Sequence, residues 1–471
     1  MKKIVIAILI IACLIGGTIF AISSCNQKSE PELSDKITKK ITAYRTDLQD
    51  SAETLTTTKA IQNYLCNWAE SKGIQYSIDD SDNVIMEVKA SEEYKDAPPT
   101  VILCGYDPNH FTNCIDPMSV ALYVVKNSEE TGKLTVIFTK DKNHNFSGVK
   151  GLDKKYFPDH ANVFSLNGGS KNMWSTTTAG NSTYRFTNKV KYTDTTGTKA
   201  YRISIENLPG GVPDEKISSY PNPIKELGDL LAYFKTNSII FELAKVKGGT
   251  SGSLYPKSAS AVIVITEDYQ EKFDKRMNTA IENFNDKYKD RYPLVEYTYE
   301  EVKVPKRVLC NEDMNKFVSL LYTLVDGVYE HDENDDILSI TNIGSINYDG
   351  NTYTISASGN SLTEKGLNQI DLSYTTICGL SDIQYKKTSA QAGWTIKKPE
   401  EDPFVQEVSA AFKEYSDGTM KYRGNISVTN CSYVYEKNSE CNLMSISVNW
   451  KRIEKYAGTL ITFMMNQNET K

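Results

Sequence analysis

Residues 101–152 combine two buried strands, a helix and two loops in an order that few folds allow. The stretch opens with a short apolar run, and residues 134–138 form another, so each predicts a strand buried on both faces. Residues 119–126 between them predict a helix. This order predicts a mainly parallel α/β sheet with helices on its faces. Ligands bind at the carboxyl ends of such strands, so the loops at Gly105 and Asp141 are candidate sites.

The rest of the chain divides where the pattern of apolar residues changes. Alternating strands and amphipathic helices begin near Tyr184. The elements after Met314 resemble those before it, so a duplicated α+β unit is one interpretation. After a polar linker, the last helices and strands would complete the first sheet. We therefore predict a signal peptide at 1–25, a tether at 26–40, an α/β domain at 41–183 and 397–471, and an inserted α+β domain at 184–396.

Charge and histidine content narrow the possible functions. The formal net charge is -7 at pH 7, and no basic block stands out after the first three residues. Binding of nucleic acid requires a concentrated basic face, so we predict no nucleic-acid partner. Histidine is rare, which leaves few side chains for metal ligands or bases; the four histidines are His110, His144, His160 and His331.

The N-terminus has the pattern of a lipoprotein signal peptide. Lys2 and Lys3 precede an uninterrupted apolar run, and small residues then precede Cys25. Cleavage before Cys25 would leave a lipid-modified cysteine that attaches the protein to a membrane. The alternative is an uncleaved anchor, because the apolar run is nearly long enough to span a bilayer. Both interpretations predict a membrane-anchored, extracytoplasmic protein.

Seven cysteines follow Cys25, and this odd number leaves at least one unpaired. Two pairs are ten residues apart, and either could form a disulfide in an oxidising compartment. Buried free thiols are the alternative, because free cysteine behaves as a small hydrophobic residue. The pairs are Cys104 with Cys114 and Cys431 with Cys441.

Short motifs along the mature chain resemble those of the zinc aminoacylase/carboxypeptidase superfamily, and most of all those of bacterial aminoacyl-histidine (Xaa-His) dipeptidases. No single motif is decisive, but their order and spacing are hard to obtain by chance. The resemblance implies an αβα catalytic-type domain split by an inserted α+β lid, which agrees with the element pattern. The motifs lie at 97–105, 138–141, 148–152, 208–211, 248–250, 256–261, 327–328 and 393–394.

The resemblance also implies two zinc ions and a glutamate base, and the matching positions lack the side chains for both. No late histidine ligand exists, because no histidine follows His331. The positions that match metal ligands or the base hold Tyr106, Pro108, Ile115, Lys142, Asn143 and Asn167. The matching substrate-holding positions of the lid hold Val212, Ser253 and Lys257.

We therefore expect a pseudo-peptidase that binds a peptide, amino acid or protein partner in its interdomain cleft, without a cofactor. In this hypothesis Tyr106, Lys142, Asn143 and Asn167 line the cleft, although Lys142 alternatively lies on a solvated loop. A second hypothesis is an active hydrolase with a rearranged zinc site. A third is a structural lipoprotein without a ligand. The residues available for a rearranged site are Asp107, His110, Asp116, Asp141 and His144.

Overall fold

The computed structural model describes residues 35–169, 172–416 and 418–467. The predicted signal peptide and Cys25 lie outside the described residues. The predicted tether is wrong for residues 35–40, which begin a helix. Ile37, Ile41 and Leu48 lie on one stripe of this helix and are buried, so the helix packs on the domain. None of the helices in the described residues has both the length and the apolar character needed to cross a membrane.

Helices and strands are numbered here in chain order. The helices are α1 (35–51), α2 (Thr58–Lys72), α3 (Ile115–Lys126), α4 (Ser147–Gly151), α5 (Pro223–Thr236), α6 (Gln270–Tyr288), α7 (Asn311–Thr323), α8 (Glu364–Ser381), α9 (Pro403–Tyr415), α10 (Asn430–Lys437) and α11 (Ile453–Asn466). The strands are β1 (Gln75–Ile78), β2 (Val84–Val88), β3 (Thr100–Tyr106), β4 (Leu134–Lys140), β5 (Asn162–Gly168), β6 (Met173–Thr178), β7 (Gly180–Lys189), β8 (Tyr192–Asp194), β9 (Lys199–Glu206), β10 (Glu242–Gly249), β11 (Ala259–Ile265), β12 (Glu296–Val302), β13 (Arg307–Leu309), β14 (Gly327–His331), β15 (Ile337–Asp349), β16 (Thr352–Ser361), β17 (Gln384–Gln391), β18 (Trp394–Thr395), β19 (Tyr422–Asn425) and β20 (Asn442–Val448).

The first sheet has the order β1-β2-β4-β3-β5-β20-β6-β18, with β19 beside β6. Strands β4, β3, β5 and β20 are parallel, and the outer pairings β1–β2, β2–β4, β20–β6 and β6–β18 are antiparallel. In β3, Ile102 and Cys104 face one core and Val101 and Leu103 face the other. This period of two fits a sheet buried on both faces. One face packs against α1, α2, α3, α9 and α11, and the other against α4 and α10.

The second sheet has the order β12-β9-β11-β10-β15-β16-β7-β17, with β14 beside β15, and its pairings are antiparallel. It contains two βαββαβ units. One unit runs β9-α5-β10-β11-α6-β12, and the other runs β7-α7-β15-β16-α8-β17. In both units the first strand lies between the third and the fourth, and the second strands β10 and β15 join the units. The topology therefore repeats, as the duplicated α+β unit would require.

The first unit is inserted in the chain between β7 and α7 of the second, so one lid unit interrupts the other. The lid in turn interrupts the first domain between β6 and β18. The second sheet spans Gly180–Gln391, and Trp394 already pairs with Thr178 of β6. The lid therefore begins and ends a few residues before the predicted limits of 184 and 396. The predicted fold class, an αβα domain with an inserted α+β lid, is confirmed.

Candidate functional site

A cavity of about 570 Å³ lies between the carboxyl ends of the parallel strands and a loop of the lid. Loops after β3, β4, β5, β19 and β20 form its floor. The floor carries the polar residues Asp107, His110, Thr112, Asn113, Asp116, Asp141, His144, Asn167, Asn425, Ser427, Thr429, Ser447 and Asn449. The roof is built by Pro209, Gly210, Gly211, Val212, Asp214, Glu215, Lys216, Tyr220, Leu254, Tyr255 and Tyr292 of the lid. This is the position at which an open α/β sheet binds ligands.

Asp107, which follows β3, is held by three donors from the protein. Its Oδ1 accepts a hydrogen bond from the backbone N of Asn109 at 2.8 Å. Its Oδ2 accepts one from the backbone N of Asn143 at 2.8 Å and lies 2.9 Å from Nδ1 of His110. The carboxylate therefore joins the loop after β3 to the loop after β4 and orients the His110 ring.

Asp141, which follows β4, forms the corresponding pair with His144. Its Oδ1 accepts a hydrogen bond from the backbone N of Phe146 at 2.6 Å, and its Oδ2 lies 3.3 Å from Nδ1 of His144. Asn143, His144 and Phe146 have φ angles of 55°, 56° and 56°. Non-glycine residues seldom adopt this left-handed conformation, so the loop stores backbone strain beside the cleft.

Asp116, in the first turn of α3, is also occupied by protein donors. Its Oδ1 lies 2.7 Å from Nε of Arg45, and its Oδ2 accepts a hydrogen bond from the backbone N of Trp450 at 2.9 Å. The Arg45 guanidinium lies 5.5 Å from the centre of the Trp450 ring. Asp116 thus fastens α1 and the loop after β20 to the start of α3.

Among the six positions matched to ligands or base, only Tyr106 and Asn167 border the cavity. The Tyr106 ring is fully buried, and its hydroxyl donates to the backbone O of Asp82 at 2.7 Å. Burial, together with Asp82, raises the pKa of this phenol. The Asn167 side chain donates to the backbone O of Ser165 at 2.9 Å and to Oγ of Ser445 at 3.1 Å.

The other four matched residues lie away from the cavity surface. Pro108 and Ile115 are buried. Lys142 is exposed on its loop, so the prediction that it lines the cleft is wrong and the solvated-loop alternative holds. The Asn143 side chain accepts a hydrogen bond from Asn109 Nδ2 at 2.7 Å beside the cleft and does not line it.

On the lid, Val212 lines the roof, whereas Ser253 and Lys257 do not. Lys257 is exposed, and its alkyl chain passes over Gly210, which has a φ of 68°. A side chain at Gly210 would collide with it, because an added Cβ would lie 2.6 Å from Lys257 Cγ.

The sequence did not indicate the tyrosines of the roof. The rings of Tyr220 and Tyr255 stack with their centres 4.2 Å apart, and Tyr292 meets Tyr220 edge-on at 5.8 Å. The hydroxyl of Tyr220 donates to the backbone O of Pro256 at 3.0 Å, and that of Tyr255 accepts from the backbone N of Asp214 at 3.2 Å. The abundance of tyrosine was the only available signal, because which tyrosines face the cleft depends on lid packing.

The seven cysteines within the described residues are free thiols, so neither predicted pair forms a disulfide in this structure. Burial raises the pKa of Cys114 to about 12, although the Asp107 backbone N–H donates to its sulfur at 3.3 Å. Burial also raises the pKa of Cys431 to about 12 and of Cys441 to about 11, and it raises that of Cys104. Thiols protonated at neutral pH are poor nucleophiles.

The cleft residues do not fit a pair of zinc ions. In the part of the chain that the structure describes, no group of three or more histidine, cysteine, aspartate or glutamate side chains is arranged to hold a metal ion. Asp107, Asp116 and Asp141 direct carboxylate oxygens at protein donors. The six positions matched to ligands or base hold none of the histidine, cysteine, aspartate or glutamate side chains that bind zinc.

No protein-family model matches the sequence, and no curated protein sequence matches it. Among solved structures, the chain is similar to aminoacylhistidine dipeptidase from Vibrio alginolyticus, with a TM-score of 0.60, 16% identity, and coverage of 86% of this chain and 92% of that one. It also matches human carnosine dipeptidase 1, with a TM-score of 0.48, 9% identity, and coverage of 93% and 99%. A tripeptidase from Staphylococcus aureus gives a TM-score of 0.46, 9% identity, and coverage of 90% and 99%.

The first of these similarities confirms the resemblance at the level of the fold. The chain shares its two-part fold, an α/β domain with an inserted α+β lid, with aminoacylhistidine dipeptidase. A shared fold does not establish a shared activity, so function has to be argued from the cleft.

Proposed function

We propose that this protein is a lipid-anchored, extracytoplasmic pseudo-peptidase that binds a peptide or amino-acid ligand in its interdomain cleft without hydrolysing it. The observation that carries the proposal is the state of Asp107, Asp116 and Asp141. All three follow or begin the elements that form the cleft floor, and all three are engaged by backbone N–H groups and basic side chains of the protein. The three carboxylates therefore hold loops and helix ends together.

Hydrolysis in this fold also requires a base beside the metal-bound water. The matched position holds Lys142, which is exposed and lies outside the cavity lining. This position therefore lacks the carboxylate that would act as the base. The altered base and the altered ligand set thus support the same conclusion independently.

The cavity itself supports retention of binding. Its volume of about 570 Å³ falls within the range of small-ligand sites, about 300–1,000 Å³. Aromatic, apolar and charged residues line it on the lid side, and mainly polar residues line it on the floor. Ligand-binding pockets combine these two kinds of surface to bury a ligand and to fix its orientation.

Metal content and hydrolysis test the proposal together. The purified protein is incubated with zinc, manganese or cobalt, desalted, analysed for bound metal and then assayed against dipeptides. We expect far less than one metal ion per chain and no metal-dependent cleavage. About two ions per chain, the number that a two-metal hydrolase uses, together with cleavage, would support the rearranged-site hydrolase instead.

The membrane anchor is tested separately. In cells, we expect the protein to fractionate with membranes and the variant Cys25→Ala to lack the attached lipid, as measured by mass spectrometry of the N-terminal peptide. An intact N-terminus that still begins at Met1 would contradict lipidation and favour the uncleaved anchor.

A further inference from the structure

The four helices of the lid, α5 to α8, all pack on one face of its sheet. Phe186 of β7 and Ile355 of β16 point into the core that these helices form. Successive residues of a strand point to opposite faces, so Arg185 and Thr354 lie on the other face. We call this second surface the helix-free face, and it is formed by the five adjacent strands β10, β15, β16, β7 and β17.

Five exposed basic residues lie on the helix-free face. Arg185 and Lys189 belong to β7, and Lys386 of β17 is paired with Arg185 in the ladder. Lys245 and Lys247 of β10 lie on either side of a core residue and point away from the helices. Adjacent strands are about 4.8 Å apart, so the charges spread over roughly 19 Å. They come from three distant stretches of the chain, and for this reason no basic block stands out in the sequence.

Within the described residues, these five basic side chains form no ion pair. The carboxylates on the same face of the five strands are Glu242 and Asp349, and Glu242 accepts hydrogen bonds from the backbone N–H groups of residues 196–197 at 3.1 Å. On the helix side, by contrast, Lys387 pairs with Asp371 at 3.6 Å. The whole chain has a formal net charge of -7, so the helix-free face has the opposite sign. Its excess positive charge attracts a partner of negative charge.

Uncharged hydrogen-bonding side chains occupy the positions between the basic residues. Asn347, Thr354, Thr187 and Gln384 form one row across four strands, since each is paired with the next in the ladder. Hydroxyl and amide groups donate hydrogen bonds to phosphate oxygens, as basic side chains do. None of the five basic residues lines the cleft. Charges and donors that are distributed in this way fit an extended anionic surface better than a single small anion.

We propose that the helix-free face of the lid binds the headgroups of anionic phospholipids in the membrane that carries the protein. The inference rests on the membrane anchor of the proposed function and goes beyond it, because it assigns a second membrane contact to the lid. A bilayer with anionic lipids presents an extended negative surface that attracts lysine and arginine. The anchor keeps the lid at high effective concentration beside this surface, so a weak attraction at each basic residue is sufficient.

Lysine labelling on vesicles tests the contact. The full chain, as made in cells, is reconstituted into vesicles of phosphatidylcholine alone or of an equal mixture with phosphatidylglycerol. Mass spectrometry then measures the acetylation rates of Lys189, Lys245, Lys247 and Lys386. We expect these rates to be at least about threefold lower on the anionic vesicles at low salt, and the difference to shrink at high salt. Lys275, exposed on α6 at the other side of the sheet, should be acetylated at the same rate on both.

Charge reversal identifies the residues that make the contact. The double variant Arg185→Glu, Lys386→Glu changes two neighbours on the helix-free face, and we expect it to abolish the protection of Lys189, Lys245 and Lys247. Lys272→Glu, Lys275→Glu on α6 is the matched control and should keep that protection. Thermal melting confirms that each variant is folded. Arg185→Gln, Lys386→Gln, which removes the charges without reversing them, should reduce the protection by an intermediate amount.

The outcomes separate the anchor from the lid contact. If the chain binds both kinds of vesicle and the lysines of the helix-free face are labelled equally on both, the anchor stands and the inference is overturned. If soluble heparin protects these lysines and anionic vesicles do not, the partner is a soluble polyanion and the inference is again overturned. If the chain binds only anionic vesicles and these lysines are protected, the anchor is contradicted and the lid contact is supported. Binding to neither kind of vesicle would overturn both.

Discussion

Asp107 illustrates how a carboxylate in this fold can serve structure. An aspartate that holds a metal directs its lone pairs at the ion, whereas both Asp107 oxygens accept from the protein, and the side chain is only 12% exposed. The two backbone N–H groups that it satisfies belong to loops after different strands. Loss of the carboxylate would leave both groups without their acceptor.

We therefore expect Asp107→Ala to destabilise the protein by about 1–3 kcal/mol, the typical contribution of hydrogen bonds to a charged group. Asp107→Asn, which keeps an acceptor oxygen, should cost less. Urea unfolding measures both. Asp290→Ala, at an exposed lid position, is the control and should change stability by less than about 0.5 kcal/mol. Equal, small effects for Asp107→Ala and Asp290→Ala would show that the carboxylate does not hold the loops.

Asp326 in the lid gives the protein a dependence on pH. Burial raises the pKa of this carboxyl to about 7, against its ordinary 3.8, although Ile343 N and Asn222 Nδ2 donate to it. Between these two pH values the folded chain keeps a proton that the unfolded chain releases. Asp326 therefore makes stability fall as pH rises from about 4 to about 7, with no further loss above.

Asp326→Asn should flatten this dependence, because an amide keeps the acceptor and cannot ionise. We expect the variant to gain stability over the wild type with rising pH, by on the order of a few kcal/mol by pH 8. Urea unfolding at pH 5, 6, 7 and 8 measures the unfolding free energy of the variant and of the wild type. Contributions that both proteins share, such as that of Asp229, cancel in the difference. Parallel stability curves for the two proteins would contradict a raised pKa.

At the residue scale, the resemblance predicts that ligand side chains are absent at the positions of Tyr106, Lys142 and Asn167, and this stays a prediction. The sequence missed where the side chains that are present point. It did not show that Tyr106 is buried under the floor or that Lys142 faces solvent. Side-chain direction in a loop depends on contacts between distant segments, such as Asn143 with Asp107, which local patterns do not record.

At the scale of elements, both connections between the domains pass through glycine. Gly180 lies at the start of β7, and Gly393 precedes β18. A Cβ on Gly180 would lie 2.8 Å from the backbone N of Gly393, and one on Gly393 would lie 2.7 Å from the backbone N of Gly180. The two chain segments therefore approach each other too closely for any side chain between them.

Gly180→Ala and Gly393→Ala should each destabilise the protein by about 1–3 kcal/mol, because backbone must shift to admit the methyl group. Gly379→Ala is the matched control. Gly379 lies in α8 with no neighbour within 4 Å of an added Cβ, so alanine should stabilise the helix by about 0.5–1 kcal/mol. Thermal and urea unfolding distinguish the two signs. Stabilisation by all three changes would show that the crossing can relax.

Elements were predicted better than their limits. The buried strands of residues 101–152 were recognised because apolar runs of this length are buried on both faces. Helix α3 begins at Ile115, earlier than the prediction of 119. The N-cap residue Cys114 makes no side-chain cap hydrogen bond, so the sequence carries no cap signal at the actual start of the helix. The nesting of one lid unit inside the other could not be inferred, because strand order in a sheet depends on pairings between remote segments.

At the scale of the whole molecule, a hydrogen bond joins the lid to the floor beside the cleft. Ser427 Oγ donates to the backbone O of Pro213 at 3.0 Å. We expect Ser427→Ala to speed amide hydrogen exchange in residues 209–217 while lowering global stability by only about 1 kcal/mol. Ser439→Ala, at an exposed position in the loop between α10 and β20, is the control and should leave exchange in residues 209–217 unchanged. Unaltered exchange in both variants would show that this bond does not restrain the lid.

The position of β20 also sets an order of events during synthesis. This strand lies between β5 and β6 in the sheet, yet more than half of the chain separates Thr178 from Asn442. At a translation rate of roughly 5–20 residues per second, the gap beside β5 stays open for tens of seconds after its neighbours are made. During that interval β5 and β6 have unpaired edges, which are prone to pairing with other chains. The first sheet is therefore complete only after β20, residues Asn442–Val448, has been synthesised. A chain released from the ribosome before residue 442 would keep the unpaired edges of β5 and β6, which promote aggregation.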